Sequence, residues 1–108
     1  MTSPLGAMQH RELRVMRLVD HAEREHGTRE IVSAWADETI TPTNWRGVAS
    51  DARKMAKALT KLGIQRGDRV ATLAMNHAHH LTSWYGAIGM GGILHTINPR
   101  LFPDQLAY

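Results

Sequence analysis

Four histidines come closest to a chemical cluster: His77, His79 and His80 in an H-x-H-H run, with His95 further along. Two imidazoles at i and i+3 on a helix can share a metal ion. No carboxylate stands at helical spacing nearby to complete or orient such a site. The run is therefore expected to form a solvent-facing first turn of a helix. Gly86, Gly89, Gly91 and Gly92 invite comparison with a dinucleotide fingerprint. A phosphate-binding glycine loop follows a strand and opens a helix. These glycines instead close a helix and open a strand, so they are expected to allow close packing of helix on sheet. No G-x-x-x-x-G-K-[ST] run occurs in the sequence. Arg66-Gly67-Asp68 spells an adhesion tripeptide but reads as a turn into a strand. Asp20 with His21, or Asp51 with His10, could be written as acid–base pairs; no spacing supports that over solvent exposure. Trp35, Trp45 and Trp84 stand apart, which suits packing better than a platform for stacked bases. These residues hold no self-contained catalytic site.

The elements around them follow from periodicity. His10 to His26 reads as a helix with Val15, Leu18, Val19 and Ala22 on one stripe. Gly27 stops it, in the left-handed conformation that glycine tolerates. Glu30–Trp35 and Glu38–Thr41 read as two short strands around Asp37, a small hairpin rich in β-branched residues. Pro42 breaks the pattern, and Thr43 is the expected N-cap of a helix from Asn44 to about Leu62. That helix carries Trp45, Val48, Ala49 and Ala52, then Met55, Ala56 and Leu59. Gly63 ends it, with Ile64 as the apolar residue that follows such a cap. A turn at Gln65–Asp68 leads to a strand at Arg69–Ala74. Asn76 is the expected cap of a third helix, His77 to about Met90, with Leu81, Trp84, Tyr85 and Ile88 in register. Gly91-Gly92 stop it, and Ile93–Ile97 form a strand closed by Pro99. Strand, helix, strand with short turns is a βαβ unit, expected as a right-handed crossover between parallel strands. Phe102 to Tyr108 reads as the first turn of a further helix, with Pro103 and Asp104 suited to its start. Residues 1–9 read as an irregular lead-in. The fold class is α/β: an incomplete N-terminal subdomain with a small hairpin, packed helices and a parallel βαβ unit. One helical turn is not stable alone, and two strands leave sheet edges unpaired. Both point to the front of a larger domain.

Composition narrows the function classes. The 108 residues include 43% hydrophobic and 21% charged types, ordinary for a globular chain. The absence of cysteine excludes disulfides, thiolate metal sites and a cysteine nucleophile. Net charge is +3. Residues 1–54 are balanced at 8 Lys+Arg against 8 Asp+Glu, and the excess lies in residues 55–108 with 5 against 2. No basic run exceeds Arg53-Lys54, so no nucleic-acid partner is expected. The start lacks a signal-peptide pattern. The most apolar stretch, Tyr85 to Leu94, is about half the length of a bilayer span, so no transmembrane segment is expected. The chain reads as soluble and cytoplasmic.

From Thr43 to Tyr108 the order of pieces resembles the front of the AMP-forming acyl-CoA synthetases of the adenylate-forming superfamily. The Ala-rich run Asp51-Ala-Arg-Lys-Met-Ala-Lys-Ala-Leu59 comes first. Leu62-Gly-Ile-Gln-Arg-Gly-Asp-Arg-Val-Ala71 is similar to that family's L-G-(V/I)-x-x-G-D-R-V-A signature. Asn76 follows, then a helix ending Tyr85-Gly-Ala-Ile-Gly-Met-Gly-Gly92. Ile93-Leu-His-Thr-Ile-Asn-Pro-Arg-Leu-Phe-Pro-Asp-Gln-Leu106 resembles the medium- and long-chain fatty-acyl branch, including relatives that act on methylthiopropionate. Met8-Gln9, His21-Ala22 and Glu30-Ile-Val-Ser33 fit the same branch. Arg46 departs from it, standing where the family usually has an acidic residue, and Asn44-Trp45 replaces the family's Thr/Ser-Tyr pair.

The resemblance implies that residues 1–108 are the N-terminal part of a large AMP-binding domain. The complete enzyme would join ATP and a carboxylic (fatty) acid into an acyl-adenylate, then pass the acyl group to coenzyme A. Such chemistry uses Mg2+ and cationic or N–H donors around the phosphates. The family's Ser/Thr/Gly-rich loop, adenosine motif and catalytic Lys do not occur in these residues, which alone are expected to be inactive and to bind no cofactor. Asn98 and Arg100 are the candidate ligand-proximal residues. Their loop leaves the carboxyl end of a parallel strand, where ligands of α/β sheets bind, and the matching region of related acetyl-type synthetases lies near coenzyme A. A structural turn fixed by Pro99 is the competing reading. An adenylation or luciferase-like member of the superfamily, or a non-enzymatic interaction module, are the alternatives. A homo-oligomer is compatible with each.

Overall fold

A computed structural model describes residues 6–108. The order is α1 (Val15–His26), β1 (Glu30–Ala34), β2 (Ile40–Asn44), α2 (Trp45–Lys61), β3 (Arg69–Leu73), α3 (Ala78–Gly89), β4 (Ile93–Ile97) and α4 (Pro103–Ala107). β1 and β2 form an antiparallel hairpin, and β3 and β4 form a parallel pair. The α/β class, the hairpin, the packed helices and the parallel βαβ unit are as expected. Residues 6–9 are irregular; the rest of the lead-in lies outside the described residues. Among the described residues no helix is long and apolar enough to cross a membrane.

α1 is shorter than its sequence suggests. Residues 10–14 stay outside it, and Leu13 is fully exposed. Short helices are held by the apolar face they bury, and here burial begins past Val15. Val19 is buried at 1% exposure, whereas Leu18, on the expected stripe, is 66% exposed. Gly27 ends the helix with φ −56°, not in the left-handed region. Its value is space: a Cβ would lie 2.5 Å from the Glu23 carbonyl oxygen and 3.3 Å from the Arg46 guanidinium. This contact also accounts for Arg46. A cation disfavoured by the N-terminus of α2 lies instead against the carbonyl end of α1, where the dipole favours it.

The hairpin turns at Ala36–Glu38. Asp37 accepts from the Thr39 amide at 3.1 Å and hydroxyl at 2.6 Å, and Glu38 takes φ 67°. Pro42 lies inside β2 opposite Val32, not beyond its end. The Trp35 amide bonds the Thr39 carbonyl and the Trp45 amide the Arg29 carbonyl. Antiparallel pairs alternate between bonded and non-bonded, so Val32–Pro42 falls on a non-bonded pair. Proline's missing N–H costs no ladder bond there.

The strand therefore runs through Thr43, and the cap of α2 moves to Asn44. Its Oδ1 accepts from the Gly47 amide at 2.8 Å. Asn44→Ala is expected to lower stability by about 1 kcal/mol, read as a shift in the denaturation midpoint. α2 ends in paired cap bonds: Ile64 N to Leu59 O at 3.1 Å and Gly63 N to Thr60 O at 3.1 Å, with Gly63 at φ 93°. α3 closes the same way through Gly91, also at φ 93°, and Gly92.

The core is made of small side chains. Val19, Val48, Ala49, Ala52 and Ala87 are buried where α1, α2 and α3 meet. The α2–α3 contact depends on Gly86, where a Cβ would stand 2.7 Å from the Met55 side chain and 3.0 Å from the Ala52 carbonyl oxygen. The glycines of α3 thus bring helix onto helix, a correction to the expected helix-on-sheet contact. The radius of gyration is 17.0 Å, against about 13 Å for a closed domain of this length. Leu73 and Ile93 on the parallel pair are more than half exposed.

Across the α1–α2 contact, Arg53 binds Glu23 through two hydrogen bonds, one of 2.9 Å, with Asp20 3.8 Å away. The hydrogen bonds from Arg53, then its charge, hold the Glu23 carboxyl below the usual glutamate range. A depressed carboxylate stabilises the fold above its unfolded pKa and loses that effect as pH falls through the folded value. Acidification below the ordinary value of 4.5 should therefore loosen α1 from α2. Glu23→Gln should flatten that part of a pH-dependent melting curve.

Candidate functional site

β3 and β4 run parallel in register from Arg69–Ile93 to Leu73–Ile97. Their carboxyl ends therefore release the chain side by side. The segments that leave them converge on a depression of about 370 Å³ lined by Ala74, Met75, Asn76, Asn98, Pro99 and Arg100. In open α/β sheets the space outside the carboxyl ends of the strands is the natural ligand crevice.

The two candidate residues differ in what they do there. Asn98 shapes the loop: its Oδ1 accepts from the Arg100 amide at 3.0 Å and its carbonyl from the Leu101 amide at 3.3 Å. Arg100 is exposed. Among the described residues its guanidinium has no carboxylate partner within 4 Å, so it brings a positive charge to the rim of the depression. α4 follows, its start braced by Gln105 Oε1 accepting the Phe102 amide at 3.1 Å.

Asn76 belongs to the same depression, although its sequence position suggested a helix cap. The cap of α3 is His77, whose Nδ1 accepts from the His80 amide at 3.1 Å. The Ala78 amide is taken by the buried Ser33 hydroxyl of β1 at 2.8 Å. Met75 lines the crevice too and is 55% exposed. Sequence reasoning passed over Asn76 and Met75 as crevice residues. The available signal was their place just past a parallel strand.

His77 and His80 are half-buried and serve the fold, a correction to the expected solvent-facing turn, which His79 alone keeps. His77 stacks on Trp35, with ring centroids 4.6 Å apart and an interplanar angle of 22°. His80 Nε2 shares a 2.8 Å hydrogen bond with the Thr72 hydroxyl of β3. His95 pairs with Ala71 in the strand register. Among the described residues no group of three or more His, Asp or Glu could hold a metal ion. Beside the stack lies a depression of about 420 Å³, lined in part by Ile31, Leu81 and Trp84. Asp20 turns toward Arg53, and Asp51 pairs with Lys54 at 3.3 Å, so neither acid–base pairing forms.

Residues 18–108 match the AMP-binding enzyme family. The chain belongs to that family. It is 54% identical over 104 residues to a 3-methylmercaptopropionyl-CoA ligase of Ruegeria lacuscaerulensis, covering 96% of this chain and 19% of the relative. It is 45% identical to a medium-chain-fatty-acid–CoA ligase of Ectopseudomonas oleovorans, with the same coverage. Among solved structures, the N-terminal domain of FACL13 from Mycobacterium tuberculosis superposes with a TM-score of 0.73. That match has 25% identity and covers 88% of this chain and 24% of that one. The AMP-binding relatives are thus CoA ligases, and this chain spans about a fifth of their length.

Proposed function

We propose that residues 1–108 are the leading section of the AMP-binding domain of an ATP-dependent, AMP-forming acyl-CoA ligase of the fatty-acyl branch. The observation that carries this reading is the 54% identity with the Ruegeria ligase along nearly the whole chain. In the reaction, an oxygen of the acid's carboxylate attacks the α-phosphorus of ATP and pyrophosphate leaves. The thiol of coenzyme A then attacks the acyl carbon, losing its proton, and AMP leaves. The activation matters because a carboxylate oxygen is a poor leaving group and AMP a good one. A cytoplasmic site of action goes with this reading, since ATP and coenzyme A are drawn from that pool. Mg2+ is a further requirement of such chemistry. Among the described residues no group of three or more His, Asp or Glu could hold it.

The contribution proposed for this section is support and one wall of the ligand crevice. Asn98 holds the loop, and Arg100 offers a planar cation suited to phosphate oxygens. The test is the intact protein supplied with ATP, coenzyme A and either 3-methylmercaptopropionate or a medium-chain fatty acid. Acid-dependent pyrophosphate release and a thioester seen by mass spectrometry are expected. Pyrophosphate without thioester would overturn the CoA-ligase reading in favour of an adenylating relative. Within that assay, Arg100→Ala is expected to raise the KM for coenzyme A about tenfold, the scale of one charge-assisted hydrogen bond. Arg100→Lys should recover part of it, and steady-state kinetics check both.

A further inference from the structure

We propose that His77 is a proton-operated clasp: neutral, it holds the first turn of α3, and protonated it releases that turn. Nothing in it depends on the ligase reading. Three observations carry it. First, His77 caps α3 with its own ring, Nδ1 accepting from the His80 amide at 3.1 Å. An imidazole nitrogen accepts only while it carries no proton. The usual caps Asn, Asp and Ser keep their acceptor throughout the neutral range, and a histidine cap does not. Second, the same ring stacks on Trp35, with centroids 4.6 Å apart, and the Ser33 hydroxyl accepts from the Ala78 amide at 2.8 Å. These contacts tie the start of α3 to the hairpin. Third, His77 is half-buried with two further imidazoles beside it, His79 at 5.8 Å and His80 at 6.4 Å between ring centroids.

The surroundings offer a charge on this ring little relief. Among the described residues no carboxylate lies within 4 Å of His77, His79 or His80. The charged groups of β1 and β3 are Glu30 and Arg69, each at the opposite end of its strand from Ser33 and Thr72. In the hairpin turn, Asp37 is bonded to Thr39 and Glu38 is exposed. On β4, His95 pairs with Ala71 and so lies on the opposite face from Thr72. The 2.8 Å bond between His80 Nε2 and Thr72 survives protonation, because a hydroxyl accepts as well as donates. A proton on His77 Nδ1 instead turns the acceptor into a donor facing the His80 N–H. It also sets a positive charge at the positive end of the helix dipole. The indole face attracts the imidazolium, so the ring keeps to Trp35 while the helix amide loses its partner. The cap is therefore present with the ring neutral and lost as pH falls through the range where imidazoles take up a proton, roughly pH 8 to 5. Release of this turn reaches both depressions, since Asn76, His77 and Ala78 line the apolar one and Asn76 the crevice as well.

The experiment follows amide hydrogen exchange by mass spectrometry in the intact protein at about pH 7.5 and about pH 5.5, which bracket imidazole titration. Rates are corrected for the intrinsic pH dependence of exchange. The lower pH stays above the ordinary glutamate value of 4.5, below which the Glu23–Arg53 pair responds. Protection of residues 78–81 should fall about fivefold at the lower pH, the scale of one lost N-cap, while α2 keeps its protection. His77→Asn supplies a cap that does not titrate and should hold the protection at both pH values. His77→Ala should show the low value at both. Protection at 78–81 that does not change with pH in the unaltered protein would overturn the proposal. So would a His77→Asn variant that still loses protection at the lower pH, since the titrating group would then lie elsewhere. Equal loss in α2 would overturn it as well, by showing general unfolding instead of the release of one turn. None of these results bears on thioester formation, so the ligase reading stands or falls separately.

Discussion

Gly86→Val is expected to destabilise the fold by about 3 kcal/mol, at the upper end of overpacking costs. Helix propensity points the other way. An alanine in place of a glycine within a helix should add up to about 1 kcal/mol. Packing decides the sign here because a Cβ on Gly86 would stand 2.7 Å from both Cβ and Cγ of Met55 and 3.0 Å from the Ala52 carbonyl oxygen. The base of one side chain and a backbone atom cannot step aside without moving α2. Gly86→Ala should therefore cost stability as well, by about 1–2 kcal/mol. Gly89 is the control, three residues along the same helix. A Cβ there meets the Met16 thioether at 3.2 Å, and a methionine side chain can repack. Gly89→Ala should be neutral or slightly stabilising. Denaturation midpoints of the three variants read the difference. Equal effects at Gly86 and Gly89 would mean that helix propensity, and not the α2–α3 contact, governs both.

The parts of this fold legible in the sequence are those set by local rules. The α2 stripe and the glycine stops at Gly63 and Gly91 follow from helical period and from the freedom of glycine at positive φ. Both caps were misplaced by one residue, Thr43 for Asn44 and Asn76 for His77, for a common reason. In each pair the neighbours both carry side-chain acceptors, so residue type does not choose between them. The choice is made at a distance. The hairpin register pairs Thr43 with Ile31 and keeps it in the strand, and the stack on Trp35 holds His77 at the head of α3. Gly27 shows the same limit, since its close neighbour Arg46 lies nineteen positions away in the chain. The crevice was half legible. The carboxyl end of a parallel strand pointed to Asn98 and Arg100, while Asn76 was hidden by the capping role its position suggested.

Val48→Asp should be the most damaging single change, at about 4 kcal/mol or more. Val48 is 1% exposed and lies among Ala49, Ala52 and the other small residues of the three-helix core. A carboxylate there loses its hydration and gains no ion-pair partner, which costs far more than the apolar contact it replaces. Protonating the group relieves part of the penalty, so the variant should be less unstable at acid pH than at neutral pH, the reverse of the trend at the Glu23–Arg53 pair. Val48→Ala removes two methyl groups without adding charge and should cost about 2 kcal/mol. Val48→Thr keeps the shape, and its hydroxyl can bond a carbonyl one turn back, so it should fall between wild type and Val48→Asp. The order Thr and Ala mild, Asp severe, tests whether buried charge sets the cost. The test matters because so few large side chains fill this core. Stability of a folded domain is typically about 5–15 kcal/mol, and a loss of 4 kcal/mol at the meeting point of α1, α2 and α3 removes much of what holds the crevice-bearing βαβ unit against the helices.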